Sequence, residues 1–247
     1  MNHNLWHKRA SVYDKLSWTK KQELLKTIKH SAWSNSSSDG FKNVCDIGTG
    51  TGTVAKFLAP FCKNIEAIDN SKDMLEIAKQ ENSFKNINYH LMNVEEMHFD
   101  DKIFDLIVAR MTFHHVEQQN KAILECYRIL KPGGAFVVCE AVPAMGVRSF
   151  FTDMFKLKEK RRVYSLDDLI HLLELGKFKD IDYCIYVMKD VSVRNWLENG
   201  KVTNENINSI FSMLKNAPPY VRKAFNVQEI ANDVLLDWKF AIVSGRR

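Results

Sequence analysis

Short apolar runs alternate with amphipathic stretches between residues 41 and 143, and this alternation predicts a regular succession of strands and helices. The predicted elements, in chain order, are strand 43–47, helix 53–61, strand 64–69, helix 72–82, strand 87–92, strand 103–109, helix 118–130 and strand 134–141. Strands that alternate with helices in this way favour a parallel sheet with helices on both faces. The central part of the chain is therefore expected to be an α/β core.

The segments that flank this core follow other patterns. The first forty residues carry apolar positions on one helical face and end in the polar run 35–40, which is expected to be a loop. An apolar and basic segment at 144–164 then precedes a predicted helix near 166–175, a strand near 181–188, a mostly helical stretch at 191–233 and a final strand at 235–243. The alternation in the final strand fits an edge or an antiparallel position.

Composition indicates one domain. A chain of 247 residues with 45% hydrophobic content can bury one substantial core, so residues 1–247 are expected to form a single unit. The net charge is +5, and the densest basic cluster, Lys156–Arg162, is interrupted by Glu159. We interpret this cluster as a solvated helix face, with contact to an anionic substrate, RNA or a membrane surface as the alternative.

The five cysteines do not form a pattern of disulfide or metal-binding spacings. Cys45, Cys139 and Cys184 lie in predicted strands and Cys126 in a predicted helix, so no metal site and a reducing, cytoplasmic setting are expected. The first eight residues lack the apolar core of a signal peptide, and no apolar run approaches the length of a membrane span.

A glycine-rich turn follows the first predicted strand of the core. Gly48, Gly50 and Gly52 alternate there, which permits a tight turn and a close approach of the backbone to a ligand. The next helix directs unpaired N–H groups at this turn, so an anionic group is favoured there. Asp46 precedes the glycines, and Asp69 closes the second strand, 17 residues after Gly52. That offset is close to the roughly 20 residues expected for an acidic ribose ligand, and the turn is predicted to bind a nucleotide-type cofactor.

Four motifs between about residues 10 and 143 carry a family resemblance. They are Ala10-x-x-Tyr13-Asp14, Asp46-x-Gly48-x-Gly50-x-Gly52, the strand end Asp69, and Arg128-x-Leu130-Lys131-Pro132-Gly133-Gly134. In this order they resemble the class I S-adenosylmethionine-dependent methyltransferases, and within that group the ubiquinone/menaquinone-biosynthesis type that acts on small molecules. The resemblance implies a Rossmann-like fold with a mostly parallel seven-stranded sheet, an antiparallel last strand, S-adenosyl-L-methionine as cofactor, and helical additions at the N-terminus and in the C-terminal half. It divides the domain into an N-terminal helical lid (1–40), a cofactor-binding core (41–143) and substrate-shaping additions (144–247).

The resemblance also implies which residues bind the cofactor. Asp69 would accept both ribose hydroxyls, because a carboxylate offers two acceptor oxygens and no donor; a solvated strand end is the alternative. The other implied cofactor contacts are Asp46, Gly48, Thr49, Gly50, Gly52, Asn70, Met74, Asn93, Val94 and Arg110. Instead of contacting the cofactor, Asp46 could brace the loop and Met74 could fill the core. Asn93 departs from the acidic residue common in the family, so it either accepts from the adenine amine or caps a turn.

The residues after the fourth strand of the core lie where the family places the transferring methyl group. His114 and His115 are the candidate bases for an acidic acceptor, with hydrogen bonding, pocket lining and a structural role as alternatives. Tyr13 resembles an aromatic lid residue over the cofactor, with packing of the first helix as the alternative. Glu140 is expected either to touch the substrate or to brace the glycine loop. Four further aromatic residues are available for an apolar pocket or for the core, namely Phe150, Phe151, Phe155 and Trp196.

Several other functions are less compatible with these residues. A dinucleotide dehydrogenase requires Gly-x-Gly-x-x-Gly, which the loop does not contain. Nucleic-acid methylation at an exocyclic nitrogen requires an Asp/Asn-Pro-Pro-aromatic clamp in place of residues 110–113, and arsenical methylation requires a set of thiols near the cofactor. The sequence therefore predicts transfer of a methyl group to oxygen or carbon of a small apolar or aromatic metabolite. An RNA (tRNA) methyltransferase and a non-catalytic S-adenosylmethionine-binding protein are the alternatives.

Overall fold

One mixed β-sheet organises the molecule. The computed structural model describes residues 3–34 and 41–247, and the expected loop at 35–40 lies outside the described residues. The strands are β1 (Asn43–Ile47), β2 (Asn64–Asp69), β3 (Ile87–Leu91), β4 (Phe104–Arg110), β5 (Leu130–Val142), β6 (Lys179–Ser192), β7 (Gln228–Ile230) and β8 (Asp233–Arg246). Their order is β3-β2-β1-β4-β5-β8-β6, and β7 pairs with β8.

Helices cover both faces of this sheet. They are α1 (His3–Tyr13), α2 (Gln22–Trp33), α3 (Thr53–Leu58), α4 (Lys72–Glu81), α5 (Gln119–Ile129), α6 (Arg148–Lys158), α7 (Leu166–Leu175), α8 (Val193–Glu198), α9 (Asn204–Lys215) and α10 (Pro219–Phe225). Short 3₁₀ turns follow α3 at Ala59–Phe61 and β4 at Phe113–His115.

Strand directions confirm the predicted fold class and correct two details. Strands β1 to β5 pair in parallel, whereas β8 is antiparallel to β5 and to β6. Within residues 3–34 and 41–247 the sheet has eight strands instead of seven, because the short β7 forms a hairpin with the start of β8. The antiparallel position of the final strand is confirmed, but the edge position is wrong, since β8 lies between β5 and β6.

Two apolar cores lie on opposite faces of the sheet. Val44 and Cys45 are neighbours on β1 but belong to different cores, because successive strand side chains point to opposite faces of the sheet. The first core packs α2, α3, α6 and the C-terminal helices against the sheet, and the second packs α5 and α7. This confirms the predicted helices on both faces. Within the described part of the chain, no helix combines the length and the apolar character needed to cross a membrane.

Element boundaries differ from the sequence prediction where proline and pairing intervene. The predicted helix 53–61 ends at Leu58 and continues as a 3₁₀ turn that contains Pro60. Strand β5 begins at Leu130, before the predicted start at 134, because Leu130 already pairs with Phe104 of β4 ahead of a register shift. Helix α6 lies in the apolar and basic segment for which no element was predicted.

Candidate active site

The carboxyl ends of β1, β2 and β4 border a cleft of about 760 Å³, which we call the glycine cleft. This is where ligands bind in open α/β sheets, beside the point at which the strand order reverses. The sequence-predicted residues that line it are Tyr13, Asp46, Gly48, Thr49, Gly50, Asp69, Asn70, Met74, Asn93, Val94, Arg110 and His115. Six further residues line it, namely Trp6, Val54, Ile68, Met92, Met111 and Thr112.

Asp46 braces the start of the glycine loop. Its Oδ2 accepts hydrogen bonds from the Thr49 hydroxyl at 2.6 Å and from the Ala55 amide at 3.1 Å. Burial raises the pKa of Asp46 to about 6, against the lowering effect of the Thr49 hydrogen bond. These contacts correspond to the loop-bracing alternative, although the side chain also lines the cleft. Gly52 does not line the cleft; it is the N-cap residue before α3 and its amide donates to the Thr49 carbonyl at 3.0 Å.

Two glycines of the loop lie in the left-handed region for different reasons. Gly48 has φ of +65° and Gly50 has φ of +57°. A Cβ on Gly48 would lie 2.3 Å from the Thr112 side chain, whereas a Cβ on Gly50 would meet no atom within 4 Å. The Thr112 side chain therefore fills the space beside Gly48. The space beside Gly50 is open, and Gly50 is part of the cleft wall.

We expect Gly48→Ala to destabilise the fold more than Gly50→Ala. Both variants incur roughly 1 kcal/mol for left-handed backbone, and the clash with Thr112 adds roughly 1–2 kcal/mol for Gly48 alone. At roughly 2–4 °C per kcal/mol for a chain of this size, the melting temperature should fall by several degrees more for Gly48→Ala. Thermal unfolding of both variants checks this, and equal losses would contradict the described packing.

Asp69 connects the second strand to the glycine loop. Its Oδ2 accepts from the Gly50 amide at 2.8 Å, and its Oδ1 accepts from the Ser71 amide at 2.8 Å. Burial raises the pKa of this carboxyl group above its ordinary value, while the two amide bonds act in the opposite direction. Asp69 is half-buried and held by the backbone of the loop, and its role toward a ribose stays a prediction. Because a carboxylate has about four lone-pair directions, acceptor capacity on both oxygens remains for a ligand in the cleft.

The opposite end of the glycine cleft is formed by residues after β2 and β3. Met74, Met92 and Val94 give it apolar walls. The Asn93 side-chain oxygen accepts from the Glu95 amide at 3.0 Å, so Asn93 caps a turn while it lines the cleft. Within the protein, Asn93 thus has the turn-capping role that was one of its two alternatives. The side-chain amide nitrogen of Asn93 remains available to a ligand.

A second cavity of about 640 Å³ adjoins the glycine cleft; we call it the aromatic cavity. Seven of its lining residues are aromatic, namely Trp6, Tyr13, Trp18, Phe155, Trp196, Trp238 and Phe240. Phe155 and Trp196 thus line a cavity, which agrees with the apolar pocket that was one of the two alternatives for these residues. Phe150 and Phe151 do not line it, and Phe151 is a fully buried core residue that packs on Phe155 with ring centroids 4.8 Å apart.

His114 and His115 occupy the 3₁₀ turn after β4 and face different spaces. His114 is buried and lines the aromatic cavity but not the glycine cleft, whereas His115 lines both. The His114 Nδ1 lies 2.6 Å from Oε2 of Glu140, and the His114 amide donates to Oε1 at 3.2 Å. Glu140 therefore orients His114; bracing of the glycine loop, one of its two expected roles, is not among its contacts.

Burial shifts the pKa of all three groups. It lowers the pKa of His114 well below the ordinary value, helped by the charge of Arg161, and burial together with His114 does the same to His115. Burial also raises the pKa of Glu140 to about 7, opposed by Arg161. Both imidazoles are therefore neutral at pH 7 and have a lone pair available to accept a proton.

The N-terminal segment closes over both spaces. Tyr13 lines both, packs edge-on against Trp6 and Trp18 at centroid distances of 6.1 and 5.9 Å, and has its pKa raised to about 12 by burial. The Thr51 hydroxyl donates to Asp14 Oδ1 at 2.7 Å, and Arg110 donates to the Thr19 carbonyl at 2.6 Å. These bonds fix the segment that carries Tyr13 to the glycine loop and to β4.

Trp6 and Met111 were missed in the sequence. Trp6 precedes Tyr13 by seven residues on α1, and this two-turn spacing on one helical face was a signal that could have identified it. Met111 has φ of +56°, which is uncommon for a residue other than glycine and has no signature in the sequence.

The prediction of a solvated face at Lys156–Arg162 is confirmed for the exposed Lys156, Lys160 and Arg162 and is wrong for three other side chains of the run. The side chains of Lys158, Glu159 and Arg161 are only 8%, 4% and 2% exposed. Glu159 contacts Arg9 Nη1, lies 2.9 Å from Lys158 Nζ and lies 3.8 Å from Arg161 Nη1. Burial alone would raise the pKa of Glu159, but Lys158, Arg9 and Arg161 together hold it well below the ordinary value. The cluster lines the aromatic cavity from the side of α6.

One group of potential metal ligands occurs among the described residues. His114, His115 and Glu159 each offer a ligand atom, all within 4.8 Å of one another. Glu159 is already surrounded by Arg9, Lys158 and Arg161, and these charges repel a divalent cation. The absence of a metal stays a prediction.

Comparison with known proteins agrees with this arrangement. Residues 45–138 match the methyltransferase domain family. A ubiquinone/menaquinone biosynthesis C-methyltransferase of Rickettsia prowazekii is 38% identical over 108 residues, which are 40% of this chain and 44% of that protein. A demethylmenaquinone methyltransferase of Tropheryma whipplei is 36% identical over 160 residues, 64% of this chain and 61% of that protein. The chain thus spans about half the length of these relatives.

A solved structure matches over more of the chain. The YcgJ protein of Bacillus subtilis superimposes with a TM-score of 0.77 and 21% identity, covering 90% of this chain and 98% of that one. The fold and the cleft define a Rossmann-like domain with a cleft at the carboxyl ends of β1, β2 and β4. Residues 45–138 are thus similar to the methyltransferase domain family, and the two relatives named above are methyltransferases.

Proposed function

We propose that this chain transfers a methyl group from S-adenosylmethionine to a small organic acceptor that binds in the aromatic cavity. The observation that carries the proposal is that the two spaces share four wall residues, Trp6, Tyr13, Met111 and His115. A donor in the glycine cleft and an acceptor in the aromatic cavity would therefore meet at this junction. Such juxtaposition provides the alignment and water exclusion on which a displacement at carbon depends.

The glycine cleft fits the cofactor in three respects. The space beside Gly50 admits a ligand against the backbone, and Asp69 retains acceptor capacity that suits ribose hydroxyls. Met74, Met92 and Val94 supply apolar contacts for a planar base, beside the Asn93 amide. When bound, S-adenosylmethionine supplies a methyl group on a positively charged sulfur, and the Tyr13 and Trp6 rings provide faces that attract a cation.

His114 is the residue that we propose as proton acceptor. An ionised Glu140 accepts the hydrogen bond from Nδ1–H, which leaves the lone pair on Nε2 for the acceptor's proton. Burial keeps the ring neutral, so this lone pair is available at pH 7. His115 would then act as a wall of the junction, supported by its edge-on contact with Trp6 at 5.0 Å.

The aromatic walls support an apolar or aromatic acceptor that is methylated at oxygen or carbon. The names of the Rickettsia and Tropheryma relatives refer to quinone substrates, and a ring carbon is the acceptor atom that this likeness favours. Residues from α1 and from 155–240 build most of the cavity wall, which supports the proposed division into a lid, a cofactor-binding core and substrate-shaping additions.

Calorimetric titration with S-adenosylhomocysteine, NAD and ATP tests the cofactor. We expect binding of the first ligand alone, and binding of NAD or ATP in its place would overturn the assignment. A screen with labelled S-adenosylmethionine across phenols, quinones, amines, aromatic acids and bulk tRNA then tests the acceptor class. Label in a small molecule supports the proposal, whereas label in tRNA, or in no acceptor despite cofactor binding, favours one of the two alternatives drawn from the sequence.

A further inference from the structure

Two buried hydrogen-bond donors in the aromatic cavity have no partner among the described residues. They are Nη2 of Arg161 and Nε1 of the Trp238 indole, and both residues line the cavity. The Arg161 side chain is 2% exposed, so its guanidinium is almost completely withdrawn from bulk solvent. Buried polar groups are nearly always paired in native proteins, and a ligand with acceptor atoms is one partner that a donor beside a cavity can take.

The charges around the cavity also favour an anion. Three cationic side chains, Arg9, Lys158 and Arg161, border the cavity, and Glu159 and Glu140 are the carboxyl groups that they approach. With every group ionised, the cluster has a net charge of +1. Glu140 is committed to His114 and lies 3.9 Å from Arg161 Nη2, beyond hydrogen-bond distance. One negative charge on a ligand would balance the cluster.

We propose, resting on the function proposed above, that the methyl acceptor is a carboxylic acid with an apolar or aromatic body, and that its carboxylate binds Arg161. The planar guanidinium matches a carboxylate in shape as well as in charge. Trp238 donates to a further oxygen of the acceptor, and the aromatic walls hold its body. Arg161 already lies over the Phe155 ring, 4.3 Å from its centroid, and the ring keeps the guanidinium in place at the cavity wall.

A matched pair of probes separates charge from shape. We choose 2-naphthoate and 2-naphthamide, which have the same ring system and differ in the carboxylate. Binding is measured by tryptophan fluorescence and calorimetry on the full chain saturated with S-adenosylhomocysteine. The wild-type protein should bind the acid at least about 10-fold more tightly than the amide, because a hydrogen bond to a charged group is lost in the amide.

Variants of the cluster assign this preference to Arg161. Arg161→Gln should weaken the acid at least about 10-fold and the amide less than about 2-fold, and Arg161→Lys should restore part of the loss. Lys156→Gln is the matched control, since Lys156 is an exposed residue of α6 whose ammonium lies 2.8 Å from Asp153. Affinity for S-adenosylhomocysteine should be unchanged in all three.

The outcomes distinguish this inference from the proposed function. Equal wild-type affinities for acid and amide, or no binding of the acid, would overturn the carboxylate assignment even when S-adenosylhomocysteine binds. Failure of S-adenosylhomocysteine to bind the wild type counts against the proposed function instead. If Arg161→Gln does not fold, the wild-type comparison of the two probes still decides, and a partial reduction of the acid preference in the conservative Arg161→Lys variant would support the same contact.

Discussion

Replacing Asp69 by alanine is expected to weaken S-adenosylhomocysteine binding at least about 100-fold, because the variant loses two hydrogen bonds to a charged group at roughly 1.5–3 kcal/mol each. The carboxylate lies at the end of β2 and lines the glycine cleft, where it fits ribose hydroxyls. It also accepts from the amides of Gly50 and Ser71, so its loss disturbs the loop that the ligand contacts. Calorimetry on wild type and variant measures the effect.

Two further variants separate recognition from loop damage. Asp73→Ala is the matched control, since Asp73 lies four residues further along on α4, is 39% exposed and pairs with His7 at 2.9 Å. Its affinity for S-adenosylhomocysteine should equal that of wild type. Asp69→Asn keeps one acceptor oxygen and should lose less affinity than Asp69→Ala. If Asp69→Ala loses no more affinity for S-adenosylhomocysteine than Asp73→Ala does, Asp69 does not bind the ribose.

The cofactor half of the molecule could be predicted from the sequence because its signals are local. Strand β1 was predicted with its observed bounds, and β2 likewise, since short apolar runs between turn residues define buried strands. Asp46, Gly48, Gly50 and Asp69 lie within one strand–turn–helix–strand unit, so their spacing alone brought them to one cleft.

The acceptor side could not be predicted because its contacts are distant along the chain. The run Lys156–Arg162 has the composition of a solvated surface, yet Arg9, about 150 residues away, pairs with Glu159 and buries it. No pattern within the run encodes that partner. The position of β8 between β5 and β6 is similarly a matter of topology, which alternation along one strand does not specify.

The two adjacent histidines show a third limit. Residues of a turn follow neither the helical nor the strand period, so sequence spacing did not show which imidazole faces the cofactor. The structure separates them through one long-range contact, the bond between His114 and Glu140 of β5. This contact turns an ambiguous pair into two positions with different expected roles.

Substitution of His114 by alanine is therefore expected to slow turnover by about 10²-fold or more, the range for loss of a positioned general base. Its affinity for S-adenosylhomocysteine should stay near that of wild type, because His114 does not line the glycine cleft. His115→Ala should slow turnover less than about 10-fold and should instead change binding at the junction, since its role there is proposed to be contact and not proton transfer. Single-turnover rates with labelled cofactor and the identified acceptor measure both.

The pH dependence provides an independent check on the base. Burial and Arg161 lower the pKa of His114 below 6.5, so the ring of the folded protein remains unprotonated as pH falls to 6.5. Glu140, whose pKa burial raises to about 7, is the group that titrates in this range, and its protonation removes the acceptor of the His114 Nδ1–H bond. The wild-type rate should therefore decline as pH falls from 8 to 6.5, and further in more acidic solution where the ring itself is protonated. His114→Ala should lack that acidic decline. If neither histidine variant slows transfer, alignment and exclusion of water at the junction of the two spaces are sufficient, and if only His115→Ala slows it, the proton acceptor is His115.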